Sequence, residues 1–152
     1  MKHLRAAIVL AVGLSLPLLS CAPNPAPERT TVNLPRGGTA TLPFSDAILA
    51  GRTLYISGRT GIDLTTMRPP ADPREEARLL LESFKAVLAK ADMTMDDLVY
   101  VTVYCPDLSL YGTFNEVYRS YFSRDFPARA FVGSGPLLFG SRFEMQGIAV
   151  KP

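Results

Sequence analysis

A chain of 152 residues, 47% hydrophobic and 20% charged, has length for one domain with a core of ordinary size, and no second domain fits. Lys and Arg number 16 against 14 Asp and Glu, but Lys2 and Arg5 precede the apolar run from Ala6 to Leu19, so without that leader the balance is 14 against 14. A neutral domain lacks the electrostatic footprint of a nucleic-acid binder.

Residues 1–20 read as an export signal: a short basic start, an apolar stretch too short to span a bilayer comfortably, and a small residue before the first cysteine. Leu18-Leu19-Ser20-Cys21 resembles the lipobox of bacterial lipoproteins. That resemblance implies acylation of the Cys21 thiol, cleavage just before it, and an exported, periplasmic protein whose only membrane contact is its N-terminal lipid anchor. The alternative is ordinary cleavage after the small-x-small run Ser20-Cys21-Ala22, which would release a soluble protein. Residues 21–29 follow as a tether, with Pro23, Pro25 and Pro27 favouring an extended polyproline-type conformation. The folded domain is expected over residues 30–152.

Within it, SDAILAGRTLYIS (45–57) gives two short apolar runs hinged at Ala50-Gly51, a hairpin signal. Asp72-Pro73 followed by Glu75 and Glu76 reads as an N-cap, a proline at the first helical position and acids in the first turn. Ala77, Leu80, Leu81, Phe84, Leu88 and Ala91 then form one helical stripe. From Asp97 to Tyr104 valines alternate with Tyr100, Thr102 and Tyr104, which predicts a strand. It ends in Cys105-Pro106-Asp107. A second helix carries Leu110, Phe114, Val117, Tyr118 and Tyr121 on one stripe, with Asp107 or Ser109 as cap. Two strands close the chain, Ala128 to Val132 and Arg142 to Val150. The order predicts an α+β domain with both helices on one face of a mixed sheet.

The possible chemistry is narrow. The single histidine, His3, lies in the leader, so a processed chain excludes Ser-His-Asp and Cys-His catalysis and histidine metal sites. Besides Cys21 the only cysteine is Cys105, which leaves no disulfide framework and reads as a small buried hydrophobe in VYVTVYC. There is no phosphate-binding G-x-x-x-x-G-K-[ST] loop, and Gly133-x-Gly135 lacks the strand-to-helix context of a dinucleotide fingerprint. Arginine, carboxylates, hydroxyls and backbone amides remain, a set suited to a small anionic ligand that needs neither cofactor nor metal. Strand parity puts Arg129 and Phe131 on one face, and Glu144, Gln146 and Ile148 on one face of the last strand. Arg129 and Glu144 are therefore expected either to line one site or to form a plain cross-strand salt bridge.

An ordered set of motifs resembles the RidA/YjgF family: Tyr55-Ile56-Ser57-Gly58, Ala86-Val87-Leu88, Asp96-Asp97-Leu98-Val99 into Thr102-Val103-Tyr104, Phe114-Asn115-Glu116-Val117-Tyr118, Phe126-Pro127-Ala128-Arg129, and Phe143-Glu144 with Ile148-Ala149-Val150. The match runs from about Leu42 to the C-terminus. It implies a chorismate-mutase-like fold assembled as a homotrimer with sites between subunits. It also implies cofactor-free hydrolysis of reactive 2-imino or enamine acids to 2-keto acids and ammonia. In that resemblance Arg129 binds the substrate carboxylate, Glu144 positions the attacking water, Ser57 and Gly58 line the cleft, and Asn115 supports it. Family deaminases commonly carry Tyr where this chain has Phe44, Gln where it has Arg59, Cys where it has Phe131, and Glu where it has Gln146. Phe131 is accordingly expected to narrow the pocket, and Arg59 to add a second cation. A non-catalytic trimer that holds a small carboxylate is the alternative function; a ribonuclease reading, also linked to the family, fits poorly with neutrality and the missing histidine.

Overall fold

The computed structural model describes residues 26, 28–35 and 42–152. The export signal and six of the nine tether residues, Cys21 among them, lie outside the described residues. Arg29, assigned to the tether's end, opens a strand instead. β1 (Arg29–Val32) pairs antiparallel with β2 (Ala47–Ala50), Arg29 opposite Ala50. Gly51 turns the chain with φ 59°, a conformation glycine adopts without a Cβ penalty, and β3 (Thr53–Thr60) returns along β2.

The N-cap reading of Asp72 holds. Its side chain accepts from the Arg74 amide at 2.9 Å and Pro73 opens α1 (Pro73–Lys90), with Glu75 and Glu76 in the first turn. Ala77, Leu80, Leu81, Phe84, Val87 and Leu88 on α1 are buried. They pack on Leu54, Ile56, Val101, Val103 and Met145 of the sheet, each also buried. At about 1.5–3 kcal/mol per fully buried large apolar side chain, this seam is the main term holding helix to sheet.

β4 (Leu98–Cys105) follows, then α2 (Tyr111–Arg119), β5 (Ala128–Gly133) and β6 (Glu144–Val150). Asp107 accepts from the Ser109 amide at 3.0 Å and caps a short 3-10 turn that leads into α2. The sheet order is β1-β2-β3-β6-β4-β5, antiparallel except for the parallel pair β4 and β5. β6 starts two residues later than expected because Arg142 is drawn out of the ladder. Its Nε donates to the fully buried Glu76 carboxylate at 2.5 Å, and its guanidinium reaches the carbonyls of Pro70 and Ala71. Glu76 also accepts from the amides of Arg142 and Phe143, at 2.6 and 3.1 Å.

Both helices lie on one face of the sheet. The opposite face leaves Tyr55, Tyr100 and Gln146 exposed. This topology corrects the within-chain reading of the Arg129 and Glu144 pair. β4 separates their strands; Arg129 is in register with Val101 and Glu144 with Tyr104, two residues of β4 that point to opposite faces. Neither a shared site nor a cross-strand salt bridge forms between them in one chain.

Candidate active site

Arg129 projects to the helix-bearing face, beside α2. Tyr111, Asn115 and Tyr118 recur at i, i+4 and i+7, so they form one stripe of α2, and that stripe meets the arginine. Arg129 Nη2 donates to Asn115 Oδ1 at 2.7 Å, while Nη1 is buried without any hydrogen-bond partner. The guanidinium carbon stands 4.6 Å from the Tyr118 ring centre and 5.8 Å from those of Tyr111 and Phe131. The aromatic faces thus compensate part of the desolvated charge. A buried donor without an acceptor is costly, however, and marks the place where an anion would be welcome.

Phe131 stands beside the arginine on the same face of the sheet. Its ring meets Tyr111 edge-on at 5.0 Å and Phe114 at 5.6 Å, which ties it to the core. The Tyr118 hydroxyl is buried and also lacks a partner, and burial pushes its pKa up to about 12. Tyr111 behaves oppositely. Its ring is half exposed, and hydrogen bonding from Asn115, followed by the positive charge of Arg129, holds its phenol below the usual tyrosine range.

Glu144 occupies the other face, at the start of β6. The β3–β6 register slips between Ile56 and Arg59, so Ser57 and Gly58 form a bulge. Ser57 Oγ donates to the Ser45 carbonyl at 2.6 Å and its amide to the Asp46 carbonyl at 3.0 Å, which ties the bulge to the segment that carries exposed Phe44. The Glu144 carboxylate lies over the bulge: a Cβ at Gly58 would come within 2.1 Å of Oε1. Gly58 is a glycine because that space is already filled.

The bulge also reverses strand parity, which corrects the expectation for Arg59. Arg59 pairs with buried Met145 and turns toward the helices, where Nη1 meets Asp46 Oδ1 at 2.7 Å and Nε donates to Ser83 Oγ at 2.9 Å. It is an ion-pair partner on the helix side, where the expectation was a second cation for the pocket. Cys105 is buried, its thiol donates to the Asp107 carbonyl at 3.0 Å, and burial raises its pKa, so it is a poor nucleophile. Among the described residues no cluster of His, Cys, Asp or Glu has the makings of a metal site.

One chain therefore carries two separate clusters: Arg129 with Asn115, Tyr111 and Phe131 on one face, and Glu144 with Ser57 and Gly58 on the other. Two concavities of about 910 and 650 Å³ are lined by α1 with α2 and by the loop before α1, and neither contains Arg129 or Glu144. The family model described as Endoribonuclease L-PSP matches residues 37–151. The chain belongs to this family, the RidA/YjgF proteins. A mouse relative named 2-iminobutanoate/2-iminopropanoate deaminase is 35% identical over 81% of this chain and 92% of its own. The solved RidA of an Antarctic Psychrobacter superposes with a TM-score of 0.73 at 31% identity, over 80% of this chain and 99% of that one. TdcF of E. coli, solved with bound serine, gives 0.74 at 29% identity, over 81% and 99%.

Proposed function

We propose that this protein is a cofactor-free deaminase that hydrolyses small 2-imino or enamine acids to 2-keto acids and ammonia, at a site shared between subunits of a homotrimer. The observation that carries the reading is the split between the two clusters. Arg129 holds a buried, partnerless donor on one face, Glu144 sits over Gly58 on the other, and a second copy of the chain is the simplest means of bringing them together. The deaminase name carried by the mouse relative supports the reaction class. The serine bound to TdcF, a small molecule with a carboxylate, is consistent with the ligand class.

In this reading Arg129 Nη1 takes a substrate carboxylate oxygen through a charge-assisted bond and fixes the imine carbon. A protonated C=N is already electron-poor. Glu144 of the adjoining copy orients a water and accepts its proton as oxygen bonds to the imine carbon. The carbinolamine then collapses: Glu144 gives that proton to the nitrogen, the C–N bond breaks as ammonia leaves, and the hydroxyl returns a proton to Glu144 as C=O forms. Phe131 closes the pocket on the arginine's side, which favours short side chains on the substrate.

By its N-terminal sequence the reading extends to an exported, periplasmic protein tethered to a membrane through Cys21. The decisive assay generates 2-iminopropanoate or 2-iminobutanoate with an amino-acid oxidase and follows its decay with and without the purified protein. Shortened imine lifetime is expected. Binding of 2-keto acids with unchanged imine lifetime would instead establish the non-catalytic carboxylate binder.

A further inference from the structure

We propose that the Tyr111 hydroxyl is the second half of a carboxylate clamp whose first half is Arg129 Nη1, so that ligand binding here depends on a neutral phenol as well as a guanidinium. This rests on Arg129 being the carboxylate-binding group, as argued above.

The geometry comes from three contacts. Asn115 Oδ1 already accepts from Arg129 Nη2, so that arm is engaged within the protein and Nη1 is the buried donor left over. Tyr111 stands one helical turn before Asn115, its ring 5.8 Å from the guanidinium carbon and braced edge-on by Phe131 at 5.0 Å. Asn115 and Arg129 are the polar neighbours that hold the Tyr111 phenol below the usual tyrosine range, which sets its hydroxyl on the guanidinium side of the ring stack. A hydroxyl that accepts from these groups keeps its own O–H proton free for a ligand. A carboxylate seated on Nη1 offers a second oxygen, and the free phenol proton is a donor available to it.

Phenylalanine in this position would brace Phe131 equally well, so the ring alone does not account for the hydroxyl. Half of Tyr111 is exposed, and its pKa is lowered by the Asn115 hydrogen bond and by the charges of Arg129 and Arg119. The other phenol against the guanidinium, Tyr118, is buried and shifted upward. Tyr111 is thus the tyrosine of this cluster that ionises first as pH rises. Once ionised it loses its donor and places a negative charge beside an anionic ligand. Below the Tyr111 pKa the clamp is whole; above it, binding weakens.

The test titrates the full trimeric protein with pyruvate, the stable keto-acid product, by calorimetry across neutral to alkaline pH, in wild type, Tyr111→Phe and Arg129→Lys. Sedimentation confirms the assembly of each. The proposal expects Tyr111→Phe to weaken pyruvate binding about 10-fold near neutrality, as for one hydrogen bond to a charged group, and to flatten the alkaline loss of affinity. In wild type, pyruvate should also delay the near-ultraviolet tyrosinate signal to higher pH, a shift absent in Tyr111→Phe. If Arg129→Lys weakens binding while Tyr111→Phe leaves affinity and pH profile unchanged, the Tyr111 clamp is wrong and the arginine site stands. If pyruvate binding ignores both substitutions, or wild type does not bind it, the arginine site falls and the clamp falls with it.

Discussion

Arg129 and Glu144 lie on opposite faces of one sheet, two strands apart, because they align with Val101 and Tyr104 of the strand between them. Chemistry that needs both has to draw them from different chains. The proposed site then predicts subunit complementation. Arg129→Ala and Glu144→Gln trimers should each be nearly inactive, whereas trimers re-formed from an equal mixture should regain about a quarter of wild-type turnover, the fraction of randomly assembled interfaces with both residues intact. Re-forming trimers from the double variant alone is the control and should give none. Failure of the mixture to exceed its parents, with subunit exchange demonstrated by mass, would rule out a site split between chains.

Gly58 reports on Glu144 directly. Gly58→Ala puts a methyl 2.1 Å from the carboxylate oxygen, and the far end of a flexible glutamate is what gives way. Folding should survive, with thermal midpoint shifted by only a few degrees, as for a change of about 1 kcal/mol or less. Turnover should fall by about 10-fold or more, because the water-orienting group is displaced while carboxylate binding at Arg129 is untouched. Equal losses in keto-acid affinity and turnover would show that the bulge serves the fold and not Glu144.

Local signals carried the elements that depend on local physics. Asp72-Pro73 and the apolar stripe behind it specify α1, and the Val/Tyr alternation specifies β4, since each is written within a few residues of itself. The site was harder to read because it depends on pairing between distant segments. Parity along β6 says only that Glu144 and Gln146 share a face; which face requires knowing that β6 inserts between β3 and β4. The bulge at Ser57–Gly58, one extra residue on β3, is likewise not written in the local alternation, and it is what turns Arg59 toward Asp46 and Ser83. Tyr111 was within reach, standing four residues before Asn115, but the apolar stripe drawn through Leu110 and Phe114 passed beside it.

Stability should depend strongly on Glu76. This carboxylate has no exposure and accepts from the amides of Arg142 and Phe143 and from the Arg142 guanidinium, which anchors the entry to β6 against the first turn of α1. Glu76→Ala would leave three donors without an acceptor and should cost about 3 kcal/mol or more in a denaturant titration. Since β6 begins two residues later with Glu144, the surviving folded fraction should also lose turnover. A loss under about 1 kcal/mol would mean that solvent replaces the carboxylate at this junction.

Anchoring is tested apart from catalysis. Cys21→Ala in the full-length chain should abolish lipid labelling and shift the protein from membrane to soluble fractions, while imine turnover by the soluble form stays at the wild-type level. Membrane fractionation unchanged by Cys21→Ala would sink the lipobox reading.

Enzyme and binder part company at two substitutions. Arg129→Lys keeps the charge but exchanges a planar guanidinium, held by Asn115 and stacked near Tyr118, for a flexible point donor that matches neither contact. Carboxylate affinity and turnover should both drop. Glu144→Gln keeps the shape over Gly58 and removes only the proton acceptor, so keto-acid affinity should hold while turnover falls by about 100-fold or more. In a passive binder the same substitution would be silent, or would tighten anion binding by deleting a negative charge, and imine decay would match buffer for the wild type as well. Steady-state rates and calorimetric affinities measured on the same three preparations separate the two. A Glu144→Gln enzyme with wild-type turnover would remove the carboxylate from the mechanism and leave Arg129 to act by orientation alone.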